Sequence, residues 1–443
     1  MPDRLAQDPP PTPPAALDRA LSGAPQDYYP LVRRARDASY VLLGEASHGT
    51  DEFYRARVEI TKRLITEERF TLVAVEADWP HAHRVNCFVR GASDDTSAEQ
   101  ALGDFRRFPS WIWRNTVVAE FVTWLREYND SLPAGARKVG FYGLDLYSLY
   151  TSMEEVVRYL EDVDPDAAGR ARERYACFGH FGRDPRAYAR QTGLRGAQSC
   201  EPGAVEQLVE LRRLAAARAA RRDGPPDEDR RFHAEQNARL VVDAEAYYRA
   251  VYGGGQESWN LRDRHMAQTL EELVAHVRRR ERTAKAVVWE HNSHVGDARA
   301  TDMRELGQLN VGQLMRERHG TQAFSVGFTT YTGTVTAASA WGGPAQRSHV
   351  RPALPGSWED VLHEQGLPAL LIDARKLEGS GLERGIGVVY RPETELLSHY
   401  FHARLGEQFD AVIHIDETHA VEPLERTSEW ERGELPDTYP WGV

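Results

Sequence analysis

Short, nearly uninterrupted apolar runs alternate along this chain with longer amphipathic stretches, and that alternation is its strongest constraint on fold. Candidate strands lie at 40–43 (YVLL), 71–75 (TLVAV), 139–142 (VGFY), 286–289 (AVVW), 324–328 (FSVGF), 369–372 (ALLI) and 411–415 (AVIHI). Runs of this length without polar alternation suit strands covered on both faces, as in a largely parallel sheet. Between them stand helical patterns such as DEFYRARVEITKRLITEE, AEFVTWLREYN and LRDRHMAQTLEELVAHVRRR. The expected fold is therefore α/β, with a central, largely parallel sheet flanked by helices.

The rhythm breaks between about 150 and 280, which holds no convincing buried strand and is rich in Ala, Arg and Glu. This interval is expected to be a helical insertion, with a solvated, flexible connection around 223–230 (DGPPDEDR). Its arginines read as solvent-exposed helix faces; the sharper alternative is a lid or wall beside an active site. Residues 1–14 carry a proline cluster and are expected to form a flexible arm, because proline fixes φ and removes donors. The remainder, 15–443, is expected to be one α/β domain, including the insertion.

The formal charge of −12 argues against non-specific binding to nucleic acid or anionic membrane. No segment approaches the roughly eighteen apolar residues of a membrane span, and the start holds acidic residues and prolines where a signal peptide needs an apolar run. Cys87, Cys177 and Cys200 are few, odd in number and widely spaced. They read as reduced thiols with no disulfide or zinc framework, which makes the cytoplasm the expected location. A small-molecule substrate is the expected partner.

In open α/β sheets, ligands bind outside the carboxyl ends of the strands, so the residues just after each apolar run bear on function. After YVLL comes GEASHGT, with Glu45 and His48. After TLVAV come Glu76, Asp78, His81 and His83; after VGFY comes Asp145; after AVVW come Glu290, His291, His294 and Asp297. One polar loop means little. Four carrying mainly carboxylates and imidazoles are better explained by a shared site than by coincidence. Gly44 and Gly49 permit tight turns or close approach.

Imidazole titrates near pH ~6.5, so His48 is a candidate general base, with Glu45 and Glu76 as carboxylates that orient it. Arg55 and Arg57 stand on the next helix and could bind an anion or stabilise an oxyanion; ordinary solvated helix charge is the plainer reading of both, and Arg57 is the one favoured for function. Ser47 is disfavoured as a nucleophile, because EASHG puts Glu45 where the nucleophile elbow requires glycine and no other G-x-S-x-G occurs. Glu45, His48, Glu76, His291 and His294 are all ligand types that suit zinc or manganese. The sequence lacks H-E-x-x-H, however, and the preferred reading has no metal and no cofactor. Phosphate-loop and dinucleotide fingerprints are absent too, Gly253–255 included. Trp111, Trp113 and Trp259 could line an apolar pocket, but core packing is the favoured role for each.

These segments resemble the erythromycin esterase family. The resemblance rests on LLGEASHGT with the helix DEFYRAR, on VAVEADW, YGLDLYS and WEHNSHVGD, and on WNLRDRHMAQ before the last strand–loop motif. It runs from about residue 25 to the C-terminal WERGELPDTYPWGV. It implies hydrolysis of an ester, typically a macrolide lactone, by activated water without a covalent intermediate. By resemblance, His48 is the base, Glu45 and Glu76 are its carboxylate neighbours, and Arg57, His291 and His294 are the other polar residues of the cleft. The expected catalytic set is His48, Glu45, Glu76, Arg57 and His291, with His294, Arg55, Asp145 and Glu290 as substrate-binding residues. The alternatives are acid–base or metal-dependent chemistry of secondary metabolism in the same cleft, or sequestration of a small molecule without turnover.

Overall fold

The computed structural model describes residues 9–13, 19–221, 228–252, 256–281 and 283–432. Among them the strands are β1 (Arg19–Ala20), β2 (Tyr40–Leu43), β3 (Leu72–Asp78), β4 (Gly140–Asp145), β5 (Ala286–Trp289), β6 (Ala323–Ala337), β7 (Gln346–Val350), β8 (Ala369–Asp373), β9 (Gly381–Arg384), β10 (Tyr400–Ala403) and β11 (Ala411–Thr418). Nine build one sheet in the order β1-β8-β11-β6-β2-β5-β3-β4, with β7 paired to β6; β9 and β10 form a separate ribbon. β11, β6, β2 and β5 run parallel. β1, β7 and β8 join antiparallel. The sheet is thus mixed and largely parallel, as the buried apolar runs predict, with helices flanking it.

β6 is much longer than its apolar segment suggests. It pairs with β2 only from Ala323 to Val326, then continues beside β11 as far as Gly333 and beside β7 as far as Ala337. This overhang alternates threonines at 330, 332, 334 and 336. Threonine favours strands through its branched Cβ without contributing to an apolar run.

The chain divides into two compact units, Met1–Ala74 with Arg84–Phe141 and Ala284–Val443, and Val75–His83 with Tyr142–Thr283. In the first, the helix Asp51–Glu68 buries Phe53, Tyr54, Arg57, Ile60, Thr61 and Leu64. That three-to-four spacing is the stripe of a core-facing helix. Phe53 meets Phe328 with ring centroids 5.4 Å apart, and the buried Trp289 meets Phe121 at 5.0 Å and donates to Thr61 Oγ1 at 2.9 Å. Trp111 and Trp113 are buried in the same unit, and Trp259 of the second unit is half-buried.

Two expectations bear on the described residues, and the one about the cysteines is corrected. The arm is docked where it is described: Thr12 N donates to Glu378 O at 3.0 Å and Ser380 N to Pro9 O at 2.9 Å. Extended proline-rich backbone keeps its carbonyls available for such pairing even though it lacks donors; residues 1–8 and 14 lie outside the described residues. Cys177 and Cys200 are not reduced thiols but form a disulfide, Cα atoms 5.8 Å apart. Sequence spacing conceals the pair because packing of the helix Pro165–Gly179 against the helix Glu201–Arg221 brings the two cysteines together. Cys87 takes no part in that bond.

The second unit carries the ends of β3 and β4 and the helices Leu149–Val163, Pro165–Gly179, Glu201–Arg221, Glu228–Ala250 and Gln256–Arg278. Most of the expected connection at 223–230, Gly253–255, and the end of WERGELPDTYPWGV from 433 onward fall outside the described residues. No helix among the described residues is long and apolar enough to cross a membrane.

Candidate active site

The loop between β2 and the helix Asp51–Glu68 is held on several sides by backbone. Asn292 N donates to Glu45 O (2.9 Å), Ile386 N to Ala46 O (2.7 Å), His48 N to Ile386 O (3.3 Å), and Thr336 N and Val421 N to Gly49 O (3.0 and 2.9 Å). The β6 overhang is what supplies Thr336. A segment that looks like a free loop is therefore part of the hydrogen-bonded scaffold, which suits a site that must hold its groups still.

Within it Glu45, His48 and Arg57 are 2%, 9% and 0% exposed. Glu45 Oε1 lies 2.8 Å from His48 Nδ1, and Arg57 donates from its second terminal nitrogen to Glu45 Oε2 at 2.5 Å. Both carboxylate oxygens are thus engaged, one by the imidazole and one by a guanidinium. The Arg57 plane is also flanked by Tyr54 and Trp289, 4.4 and 5.2 Å from its charge centre to the ring centroids. Tyr54 Oη donates to His48 O at 2.6 Å. A carboxylate on Nδ1 favours the neutral ring's proton there and leaves Nε2 as a hydrogen-bond acceptor.

His291 packs its ring 4.9 Å from that of His48. Its Nδ1 accepts from Ser293 N at 3.3 Å and lies 2.9 Å from Ser293 Oγ, so the proton of the neutral imidazole sits on Nε2. The two histidines thus hold opposite tautomers, one suited to accept a proton and the other to donate a hydrogen bond. Glu290 and His294 are buried at the same strand end, where Glu290 N continues the ladder to Leu43 O at 3.3 Å and His294 N donates to His291 O at 2.9 Å. Ser47 Oγ is turned onto Thr50 Oγ1 within the buried loop. Arg55 is drawn elsewhere: it pairs with Asp51 at 2.5 Å and Glu120 at 3.6 Å on an exposed helix face.

Glu76 and Asp145 belong to the second unit, where they converge on one arginine. Arg262 donates to Glu76 Oε1 at 2.7 Å and bidentately to Asp145 at 3.0 and 2.8 Å. Its charge centre lies 5.0 Å from the Tyr147 ring centroid. Burial opposes its charge, but Asp145, Tyr147 and Glu76 outweigh that and hold the guanidinium far above its ordinary value. Burial likewise drives the Tyr147 hydroxyl well up. Also in this unit, Asp78 faces His81 at 3.5 Å and the His83 ring stacks on that of His233 at 3.6 Å.

Sequence reasoning did not single out Arg262 or Asn292. Arg262 lay inside WNLRDRHMAQ, where an arginine in a helix reads as surface charge, and Asn292 was masked by the histidines around it. Its amide donates to Phe328 O at 2.7 Å and Glu383 Oε1 at 3.2 Å and accepts from Phe328 N at 3.2 Å. Among the described residues no group of three or more His, Cys, Asp and Glu side chains is arranged to hold a metal ion.

The α/β scaffold thus carries a buried acid–histidine–arginine set at its strand ends. The chain belongs to the erythromycin esterase family, whose profile matches residues 65–418, and it is an ester-hydrolysing enzyme acting on a small molecule. It is 24% identical over 321 residues to the Escherichia coli protein named erythromycin esterase type II, covering 70% of this chain and 73% of that one. Solved structures share the fold. A succinoglycan biosynthesis protein superposes with a TM-score of 0.71 at 21% identity, over 92% of this chain and 96% of that one. A Bacillus cereus protein gives 0.70 at 18%, over 94% and 97%. A histidine-to-asparagine mutant of the erythromycin esterase EreC, in its open conformation, gives 0.66 at 17%, over 90% and 96%.

Proposed function

We propose that this enzyme hydrolyses a carboxylic ester or lactone of a natural product, macrolide-like in class, with water activated by His48 and no resident metal. The observation that carries the reading is the buried relay from Arg57 through Glu45 to His48 Nδ1, with contacts of 2.5 and 2.8 Å. His48 Nε2 takes a proton from water as its oxygen bonds to the carbonyl carbon. Glu45 stabilises the imidazolium formed, a role worth most in a dry, preorganised site. The carbonyl oxygen becomes an oxyanion, for which the Nε2–H of His291 is the nearby donor. Collapse breaks the carbon–oxygen bond, and His48 returns its proton to the departing alkoxide. Acid and alcohol are released.

Arg57 is assigned a different duty from the oxyanion contact expected of it. Fully buried and bound to Glu45, it holds that carboxylate oriented toward His48. Support for the macrolide class comes from the family and from the name of the Escherichia coli relative.

The test is mass spectrometry of a panel of macrolides and simpler lactones after incubation, where hydrolysis adds one water to the compound. His48→Asn should stay folded by circular dichroism and lose about 10²–10⁴-fold in kcat, the usual worth of a general base. A folded variant with full turnover sinks the mechanism. Activity abolished by chelation and restored by zinc or manganese favours the metal alternative, and recovery of every compound unchanged favours sequestration.

A further inference from the structure

Behind the two histidines lies a pair of buried carboxyls that the reaction above does not use. Glu383 on β9 and Glu359 on the helix Trp358–His363 are both 0% exposed. Glu383 Oε1 accepts from Asn292 Nδ2 at 3.2 Å, and Glu359 Oε1 accepts from Arg384 N at 2.9 Å. The remaining oxygens of both, with Gln408 Oε1, are buried and receive no well-formed hydrogen bond among the described residues, although Gln408 lies near enough to Glu383 to favour its charged form. Three buried acceptors without a well-formed hydrogen bond are costly, and two neighbouring carboxylates cannot readily both be ionised. One proton on Glu383 relieves both problems by turning an orphan acceptor into a donor.

The position of this carboxyl matters for the site. Its partner Asn292 comes directly after His291, clamps the β6 backbone at Phe328 and donates its own N–H to Glu45 O. Two residues beyond Glu383, a Cβ on Gly385 would come 3.3 Å from His291 Cε1. One residue further, Ile386 exchanges backbone hydrogen bonds with Ala46 and His48. Both histidines therefore hang on the segment that Glu383 anchors.

We infer that Glu383 is a positioning residue of the ester-hydrolysing site, acting on His48 and His291 through Asn292 and the Gly385–Ile386 backbone. The inference rests on the role given above to those two histidines. Its protonation is consistent with its surroundings. Burial, and then the charge of Glu359, push the carboxyl up to about 8 against the opposing contacts of Gln408 and Asn292, with Asp302 adding a further push upward. Arg384, next along β9, is committed to Glu395 at 3.1 Å and to backbone carbonyls. Burial pushes the Glu359 carboxyl upward as well, so ionisation of Glu383 would add charge beside a group that itself resists it and load the Asn292 contact.

Wild type is compared with Glu383→Ala and Glu383→Gln by the imidazole NMR signals of His48 and His291 and by kcat and KM on an ester from the panel. Glu383→Ala should shift both imidazole signals and lower kcat about tenfold or more, as ångström-scale misplacement does, with KM within about twofold. Glu383→Gln, which keeps the acceptor and a donor, should restore kcat to within about twofold and remove the wild type's decline above about pH 8. The proposal is overturned if Ala moves neither the imidazole signals nor kcat, or if Gln keeps the wild-type alkaline limb. Should the Ala variant fail to fold, denaturation of Glu383→Gln decides. A raised carboxyl contributes stability that is lost as pH rises through its folded value. The wild type should therefore lose stability relative to Gln between about pH 4.5 and 8 and level off above that, and a constant difference counts against the proposal. If no ester in the panel is hydrolysed, the esterase reading falls, while the imidazole signals, which need no turnover, still decide the role of Glu383.

Discussion

Arg57 carries a full charge into an apolar helix stripe between Tyr54 and Ile60, and Glu45 is its only hydrogen-bond partner among the described residues. Removing one partner of such a pair leaves the other charge buried and uncompensated. Arg57→Ala is expected to lower unfolding stability by about 3–5 kcal/mol, measured from the urea midpoint. Arg57→Lys keeps the charge but loses the planar group that lies between Tyr54 and Trp289, and should fall between wild type and Ala. Much of this was legible beforehand. Position 57 shares the face of Phe53, Tyr54, Ile60, Thr61 and Leu64, whereas position 55 falls off it, so helical periodicity alone separates the two arginines. The near partner of Arg55, Asp51, is an ordinary i,i+4 helix pair, whereas the partner of Arg57 was not legible, because Glu45 lies 12 positions away across the loop and no local rule selects it.

At the scale of elements, the strand-end loop owes its shape to glycines that are needed for space rather than for backbone conformation. Neither Gly44 nor Gly49 has a positive φ. A Cβ at Gly44 would lie 2.2 Å from Asn292 Oδ1, and one at Gly49 only 1.8 Å from Thr336 O. Gly49→Ala must therefore push the loop away from β6 and break the Thr336 N to Gly49 O bond. It is expected to cost about 1–3 kcal/mol and to reduce turnover, since His48 is the adjacent residue; differential scanning calorimetry beside kinetics checks both. Unchanged stability would mean that β6 and the loop are not in contact. The β6 overhang that creates this requirement was invisible to a search for apolar runs. So were β7 (QRSHV), which is largely polar, and the four-residue strands β9 (GLER) and β10 (YFHA), whose apolar residues are broken by charged or ionisable ones.

At the scale of the molecule, the Cys177–Cys200 bond closes a 23-residue separation between two helices. On chain-entropy grounds such a loop contributes about 3 kcal/mol. Mild reduction, or Cys200→Ser, should therefore lower the unfolding midpoint of the helical unit. Alkylation should count one reactive thiol before reduction and three after it, the total in the sequence. Three thiols before reduction would mean that the bond does not form in solution.

What the sequence by itself determined were the properties carried by neighbours along the chain. Apolar runs at 40–43 and 286–289 became β2 and β5 residue for residue, because burial of both strand faces demands apolar side chains in succession. The acid–histidine motifs likewise marked the strand ends that hold Glu45, His48 and His291. Only tertiary structure decided which groups meet. It turned Glu45 toward both His48 and Arg57, gathered Glu76 and Asp145 on Arg262, joined Cys177 to Cys200, and set Glu383 behind Asn292. Those pairings depend on distances between segments remote in sequence, and a buried charge or polar group accepts whichever partner the packed chain brings within hydrogen-bonding reach.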